Sequence, residues 1–215
     1  MAKLVVFGGT GYTGGNIVAE ALGRGHEVVA VARNESALEP RAGLTVEPGS
    51  IHDDALVRKV AAGADVLISA VPAREIDGKK LLDAVPSLLD AAAAAGARLG
   101  VVGGAGSLHV ADGGPRLIDT PDFHEEWKPE AGNHANVLAA LRAADTTVDW
   151  FYVSPAAIYG SFAPGERTGA YRVGGDVLLS DAEGNSTIGG ADYAIAFVDE
   201  IDKPAHHQRR FTVAY

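Results

Sequence analysis

Residues 1–15 of the chain, MAKLVVFGGTGYTGG, join an apolar strand to a glycine-rich turn. We expect Lys3–Phe7 to form a buried parallel strand, because a continuous apolar run is typical of strands covered on both faces. Gly8, Gly11 and Gly14 follow at intervals of three, and apolar residues at helical spacing come next. A strand, a glycine turn and a helix N-terminus in this order form an anion site, since free backbone N–H groups and the helix dipole point to one place.

The surroundings of this turn indicate a dinucleotide site more strongly than its glycine spacing does. A GxxGxxG spacing can arise by chance in a chain with 27 glycines, and the alternative interpretation is a tight strand-to-helix turn. A strand before the turn, a helix after it and a second strand about 20 residues later are the expected surroundings of a dinucleotide pyrophosphate. The sequence contains all three. The candidate cofactor contacts in the turn are Gly8, Thr10, Gly11, Tyr12, Thr13 and Gly14.

The end of the second predicted strand, EVVAVA at 27–32, carries Arg33. An acidic residue near this point binds the ribose 2′-hydroxyl of NAD, whereas a basic residue suits the 2′-phosphate of NADP. Arg33 therefore favours NADPH over NADH. The alternative is a solvated arginine at a strand end, and the nearby Glu35 could weaken the preference.

Composition limits the class of protein. The chain has 215 residues, 47% of them hydrophobic and 21% charged, which is ordinary for one globular domain spanning 1–215. A net charge of −10 argues against nucleic-acid or anionic-membrane partners. The absence of cysteine excludes disulfides and thiolate chemistry and is compatible with the cytoplasm, where we expect the protein. No signal peptide or membrane span is visible in the sequence.

Further strands are expected at 44–47, 65–70, 98–102 and 149–153, with helical segments between them. Such alternation predicts an α/β fold with a doubly wound parallel sheet. Pro86 should kink or split the helical segment 78–95.

Ligands of such sheets collect at the carboxyl ends of the strands. We therefore expect further cofactor contacts there, and small residues after the fifth strand should leave room for a flat ligand. Asp53 or Asp54 is in addition a plausible helix cap. The candidates are Asp53, Ala70, Val71, Gly103, Gly104 and Pro155.

The C-terminal region, 155–215, should contribute the substrate pocket of a cofactor-binding fold. Residues 156–190 contain eight glycines and predict loops and hairpins, and a helix at 192–201 and a strand at 210–214 follow. The proline-rich segment 112–129 predicts a functional cover or a mobile loop. Metal catalysis is disfavoured because the seven histidines form no HxxxH or HxH pair, and serine hydrolysis because no GxSxG is present.

Five motifs together resemble one family. They are GGTGYTG at 8–14, VAR at 31–33, GGAGSL at 103–108, DTPDF at 119–123 and PGERTGAY at 164–171. Over essentially the whole chain they look like the NAD(P)H-flavin reductase group of atypical short-chain dehydrogenases/reductases. The chain is more distantly similar to biliverdin-IXβ reductase/flavin reductase and to NmrA-like nucleotide sensors. The resemblance implies a Rossmann fold and an NAD(P)H-dependent reductase, with flavin as a substrate and not a tightly bound group.

The chain departs from ordinary short-chain dehydrogenases, which use a YxxxK pair to protonate an alkoxide. None of its six tyrosines is followed four positions later by lysine. A flavin or similar planar acceptor, such as a quinone or a tetrapyrrole-like molecule, avoids this need. Negative charge spreads over such a ring after hydride transfer, and solvent can supply the proton, so orientation carries much of the rate.

Candidate residues for the reaction follow from position. Ser107 could hydrogen-bond the acceptor or the nicotinamide, or cap a loop. His134 lies where biliverdin-IXβ reductase also has a histidine, and it could orient the acceptor or relay a proton, or be a half-exposed helix residue. Tyr159 and Phe162 could stack on a flat ring or pack in the core. Arg167 could bind a phosphate or carboxylate, or pair with an acidic residue.

Two other functions fit the same sequence. One is a non-catalytic NADP(H) sensor of the NmrA type, in which the missing YxxxK is equally expected. The other is a pathway-specific reductase or isomerase on the same scaffold. A homodimer is a further possibility, and the expected partner is a small planar molecule.

Overall fold

The computed structural model describes residues 1–33 and 39–215. Glu35, which the sequence analysis places beside Arg33, lies outside the described residues.

Across residues 1–33 and 39–215, eight strands form one sheet in the order β3-β2-β1-β4-β5-β6-β8-β7. Each neighbouring pair is parallel except β7 with β8, which is antiparallel. The predicted doubly wound α/β fold is therefore confirmed. The strands are β1 (Lys3–Phe7), β2 (Glu27–Ala32), β3 (Leu44–Pro48), β4 (Val66–Ser69), β5 (Arg98–Val102), β6 (Trp150–Ser154), β7 (Arg172–Gly174) and β8 (Arg209–Ala214).

In the described part of the chain, five α-helices cover the two faces of the sheet. They are α1 (Tyr12–Gly23), α2 (Asp54–Ala61), α3 (Leu81–Ala95), α4 (Lys128–Ala143) and α5 (Gly190–Asp202). Side chains of a strand alternate between faces, so Val5 and Phe7 join the core beneath α2, α3 and α4. Leu4 and Val6 join the core beneath α1 and α5. This two-sided burial explains the continuous apolar run of the first strand.

Helix α3 is not split at Pro86. A proline inside a helix removes one backbone hydrogen bond, here the bond to the carbonyl of Leu82. Val85 and Leu88, on either side of Pro86, are both buried in the core and hold the two halves against the sheet. Tertiary packing therefore outweighs the local penalty.

The predicted loop at 112–129 is more ordered than its composition indicates. It contains 3-10 turns at Leu117–Asp119 and Glu125–Trp127, and α4 begins at Lys128 with Pro129 in its first turn. Proline is suited to this position because the amide it lacks would have no helical partner. Among the described residues, the longest apolar helices fall short of what a membrane crossing requires.

Candidate functional site

The turn after β1 is lined by backbone because side chains would not fit. Gly8 has φ +84°, and a Cβ there would lie 2.5 Å from the carbonyl oxygen of Ala70. A Cβ on Gly14 would lie 2.1 Å from the carbonyl oxygen of Gly8, so the helix can approach the strand only through glycine. A turn that binds a pyrophosphate needs such a close approach of strand and helix. Residues 8–14, called the cradle from here on, therefore fit a dinucleotide.

Helix α1 starts directly at this cradle. Its N-cap is Gly11, no described side chain caps its amides, and its first turn carries no acidic residue. Thr10 and Gly11 are exposed at the rim of the turn. The positive end of the helix and its unpaired N–H groups are therefore open to an anion.

The side chains of Tyr12 and Thr13 fasten the cradle to the C-terminal region. The hydroxyl of Tyr12 donates to the carbonyl of Pro164 at 3.1 Å and accepts from the amide of Gly190 at 2.9 Å. Thr13 Oγ1 lies 2.8 Å from the hydroxyl of Tyr159. Burial raises the pKa of both tyrosines, so these are bonds between neutral groups. Sequence reasoning placed Tyr12 and Thr13 at the cofactor and missed this second role.

The glycines after β5 pack against protein side chains, and the room for a flat ligand that we expect beside them stays a prediction. A Cβ on Gly103 would lie 2.0 Å from Cε1 of Tyr152, and one on Gly104 would lie 3.2 Å from His134. The Tyr152 hydroxyl accepts from the amide of Gly104 and donates to the carbonyl of His134, both at 3.1 Å. Pro155 is buried just beyond β6. Gly103 and Gly104 thus shape the wall behind the site.

His134 is buried in α4, not half-exposed, with 7% of its surface accessible. Its Nε2 lies 3.1 Å from Glu130, one turn earlier on the same helix, and its Nδ1 has no partner among the described residues. The Glu130 carboxylate also accepts from the amides of Ala73 at 2.8 Å and Arg74 at 2.9 Å. Partial burial would raise the pKa of Glu130, but hydrogen bonds from His134 and these amides outweigh it and lower the pKa to about 2.

Glu130 therefore ties α4 to the segment that follows β4. The same segment contributes Ala70 and Val71, which lie against Gly8 of the cradle. Sequence reasoning did not single out Glu130. The only local signal is its i,i+4 spacing to His134, which is common on helices.

Ser107 lies in a different cavity from the cradle. Its hydroxyl oxygen accepts from Arg210 Nη1 at 2.7 Å, and the buried Arg210 also donates from Nε to Asp176 at 2.6 Å. The cavity measures about 480 Å³, and its described lining includes neither the glycine turn nor His134. The structure therefore does not bring the side chains of Ser107 and His134 together in one pocket.

Two exposed aromatic side chains flank the carboxyl edge of the sheet. The rings of Trp127, at the start of α4, and Phe162, beyond β6, are nearly parallel, with 6.3 Å between centroids and 20° between planes. Phe162 is 67% exposed and Trp127 is 37% exposed. Phe162 is three residues from Tyr159, which contacts the cradle through Thr13.

Arg167 takes the second of its two expected roles. Its guanidinium pairs with Glu20 of α1 at 2.7 Å, and Glu20 also holds Arg24. Asp53 caps α2 as expected, accepting from the amides of Ala55 at 3.0 Å and Leu56 at 3.1 Å. Its further role as a cofactor contact stays a prediction.

Arg33 is exposed at the end of β2, where its side chain is 71% accessible. Its Nη1 lies 3.3 Å from Oδ2 of Asp77, an exposed residue in the segment after β4. The position suits the phosphate contact expected of Arg33, with a carboxylate beside it that the sequence analysis did not consider.

Comparison with known proteins agrees with this geometry. The sequence profile of a family described as NAD(P)H-binding matches residues 8–204. YwnB of Bacillus subtilis (strain 168) is 38% identical over 212 residues, which cover 98% of this chain and 97% of that protein.

Two solved structures are comparably similar. A "putative NADH-flavin reductase" from Streptococcus pneumoniae TIGR4 is 35% identical, with a TM-score of 0.86 and coverage of 100% of this chain and 99% of that one. A "putative epimerase" from Bacteroides thetaiotaomicron is 36% identical, with a TM-score of 0.89 and coverage of 100% and 97%. Relatives at equal distance carry different names, so the likeness identifies a family and not a reaction. The chain belongs to the NAD(P)H-binding family whose profile it matches, and it has that family's cofactor-type Rossmann-like sheet.

Proposed function

We propose that the protein is an NAD(P)H-dependent reductase whose acceptor is a flavin or a similar planar molecule that exchanges freely. The observation that carries the proposal is the exposed, nearly parallel pair of Trp127, just before α4, and Phe162, beyond the carboxyl end of β6. Aromatic rings of this kind bind flat conjugated ligands by stacking. The relative named as an NADH-flavin reductase supports the same acceptor class.

The proton-donating side chains of the site argue against a carbonyl substrate. Burial raises the pKa of all six tyrosines, so each hydroxyl gives up its proton less readily than a free phenol does. Ser107 and His134, the other candidates, are held by Arg210 and Glu130. An acceptor that needs no enzyme-bound acid is consistent with this arrangement.

The chemistry balances with a flavin acceptor. The bound nicotinamide would supply a hydride, two electrons and one proton, to flavin N5. A second proton reaches flavin N1 from solvent. The residues of this chain then act by binding and orientation: the cradle holds the pyrophosphate, and the aromatic pair holds the acceptor plane.

The test is NADPH oxidation, followed by nicotinamide absorbance, with and without FMN, riboflavin or a soluble quinone. Turnover that depends on the added acceptor supports the proposal, and Phe162→Ala should then raise the KM for the acceptor without changing that for NADPH. No turnover with any of these acceptors refutes it.

A second candidate is a non-catalytic NADP(H) sensor. It is favoured by the structural partners that Ser107 and His134 already have, since a sensor needs no reactive side chain. Tighter binding of NADP⁺ than of NADPH, without oxidation of NADPH by any acceptor, distinguishes this function from the reductase.

A further inference from the structure

A two-residue turn beyond β4 presents a carboxylate to the cofactor edge of the sheet. Ile76 and Lys79 exchange two backbone hydrogen bonds of 2.8 and 3.0 Å. Between them, Asp77 has φ +53° and Gly78 has φ +75°, as a type I′ turn requires. The backbone of this turn therefore fixes the position of Asp77. The side chain of Asp77 is 84% exposed.

Asp77 and Arg33 meet across the strand that leads into the glycine turn. Arg33 follows β2 and Asp77 follows β4, and these strands lie on either side of β1. Their side chains approach to 3.3 Å between Nη1 and Oδ2. Asp77 Oδ1 has no hydrogen-bond partner among the described residues. The pair thus forms part of the rim of the cofactor site, next to the end of β2.

The two charges have opposite preferences for the ribose of the cofactor. The end of β2 is where dinucleotide-binding folds distinguish a 2′-hydroxyl from a 2′-phosphate. Arg33 attracts the phosphate of NADPH. A carboxylate in contact with that arginine repels the phosphate and competes for the guanidinium, while it offers an acceptor for the hydroxyl of NADH.

We propose that Asp77 is a cofactor-specificity residue, which accepts the ribose 2′-hydroxyl of NADH and weakens the binding of NADPH, so that the chain binds both cofactors. The inference rests on the proposed function only for the binding of NAD(P)H. It assigns to the segment after β4 the acidic role that other members of the fold place at the end of β2.

The experiment is calorimetric titration of the full chain with NADPH and with NADH, for the wild type and for Asp77→Asn. Asparagine tolerates a positive φ as well as aspartate does, so the turn is retained, which a thermal melt checks. We expect NADPH to bind about fivefold more tightly and NADH about fivefold more weakly, the range for one exposed charge contact. Both changes should shrink at about 0.5 M salt because exposed charges are screened.

Glu75→Gln is the matched control. Glu75 is also exposed, lies two residues earlier and pairs with Lys80 at 4.0 Å, so the variant removes the same charge from the same segment. Its ratio of NADPH to NADH affinity should equal that of the wild type. An unchanged ratio in Asp77→Asn, an equal change in Glu75→Gln, or no binding of either cofactor overturns the inference. Binding needs no acceptor, so a protein that shows the selectivity change but reduces no flavin or quinone refutes the proposed function alone.

Discussion

Replacing Gly14 by alanine should open the cradle. The added Cβ would lie 2.1 Å from the carbonyl oxygen of Gly8, whereas ordinary contacts begin at 3.4 Å, so α1 must move away from the turn by more than 1 Å. A shift of that size exceeds the distance range of a hydrogen bond, so amides that hold the pyrophosphate lose it. The loss of two charge-assisted bonds predicts NADPH affinity at least about a hundredfold weaker, measured by calorimetry.

The neighbouring residue supplies the control. A Cβ on Gly15 would lie 3.6 Å from the carbonyl oxygen of Gly9, an ordinary contact, and alanine is the better helix former. Gly15→Ala should therefore keep NADPH affinity and leave the melting temperature unchanged or higher. Gly14→Ala should also cost about 1–3 kcal/mol of stability through overpacking. If Gly14→Ala bound NADPH within about twofold of the wild type, the assignment of the cradle would be wrong.

Two further predictions concern the edge of the site. Phe162→Ala should raise the KM for flavin about fivefold, the worth of one stacking contact, while Val173→Ala, which trims an exposed side chain on β7, should not. Glu130→Gln should lower the free energy of unfolding by about 1–2 kcal/mol at pH 7, discounted for partial exposure, because it weakens the tie to the segment after β4. The pKa of Glu130 is depressed from 4.5 to about 2, so its contribution is complete above pH 4.5 and is lost as pH falls toward 2.

The pH dependence has its own control. Glu126 is exposed in the turn before α4, so Glu126→Gln should leave the free energy of chemical unfolding unchanged across this range. A stability difference between the wild type and Glu130→Gln that stays constant from pH 6 to pH 2 would contradict the role given to the Glu130 carboxylate.

Local sequence patterns were sufficient to predict the parallel α/β fold and the glycine turn that forms the cradle. The apolar runs and glycine spacing predicted β1, the turn and α1, because strand burial and the approach of a helix depend on neighbouring residues. The cap at Asp53 followed for the same reason. The split that we expected at Pro86 was wrong. The cost of a proline inside a helix is visible in the local sequence, whereas the core packing that offsets this cost is not.

The contacts that the sequence did not reveal depend on partners far along the chain. Gly103 packs against Tyr152 of the next strand, a contact that its small size alone does not reveal. Ser107 is held by Arg210, which is 103 positions away. The sequence does not single out Asp77, because its proposed role depends on its contact with Arg33. Only the order of the strands in the sheet brings these two residues together. Sequence patterns reveal the periodicity of helices and strands and the residues that cap them. They do not reveal which distant side chain packs against a given residue.

The hydrogen bonds of Tyr12 and Thr13 also set an order of events during synthesis. Their partners, Tyr159, Pro164 and Gly190, lie 146 to 178 positions later in the sequence. The glycine turn leaves the ribosome before the groups that fasten it, and contacts of such long range form slowly. Nucleotide capture is therefore a late step in the maturation of this chain, and a nascent chain that stops before Gly190 carries the whole glycine motif without its fastening.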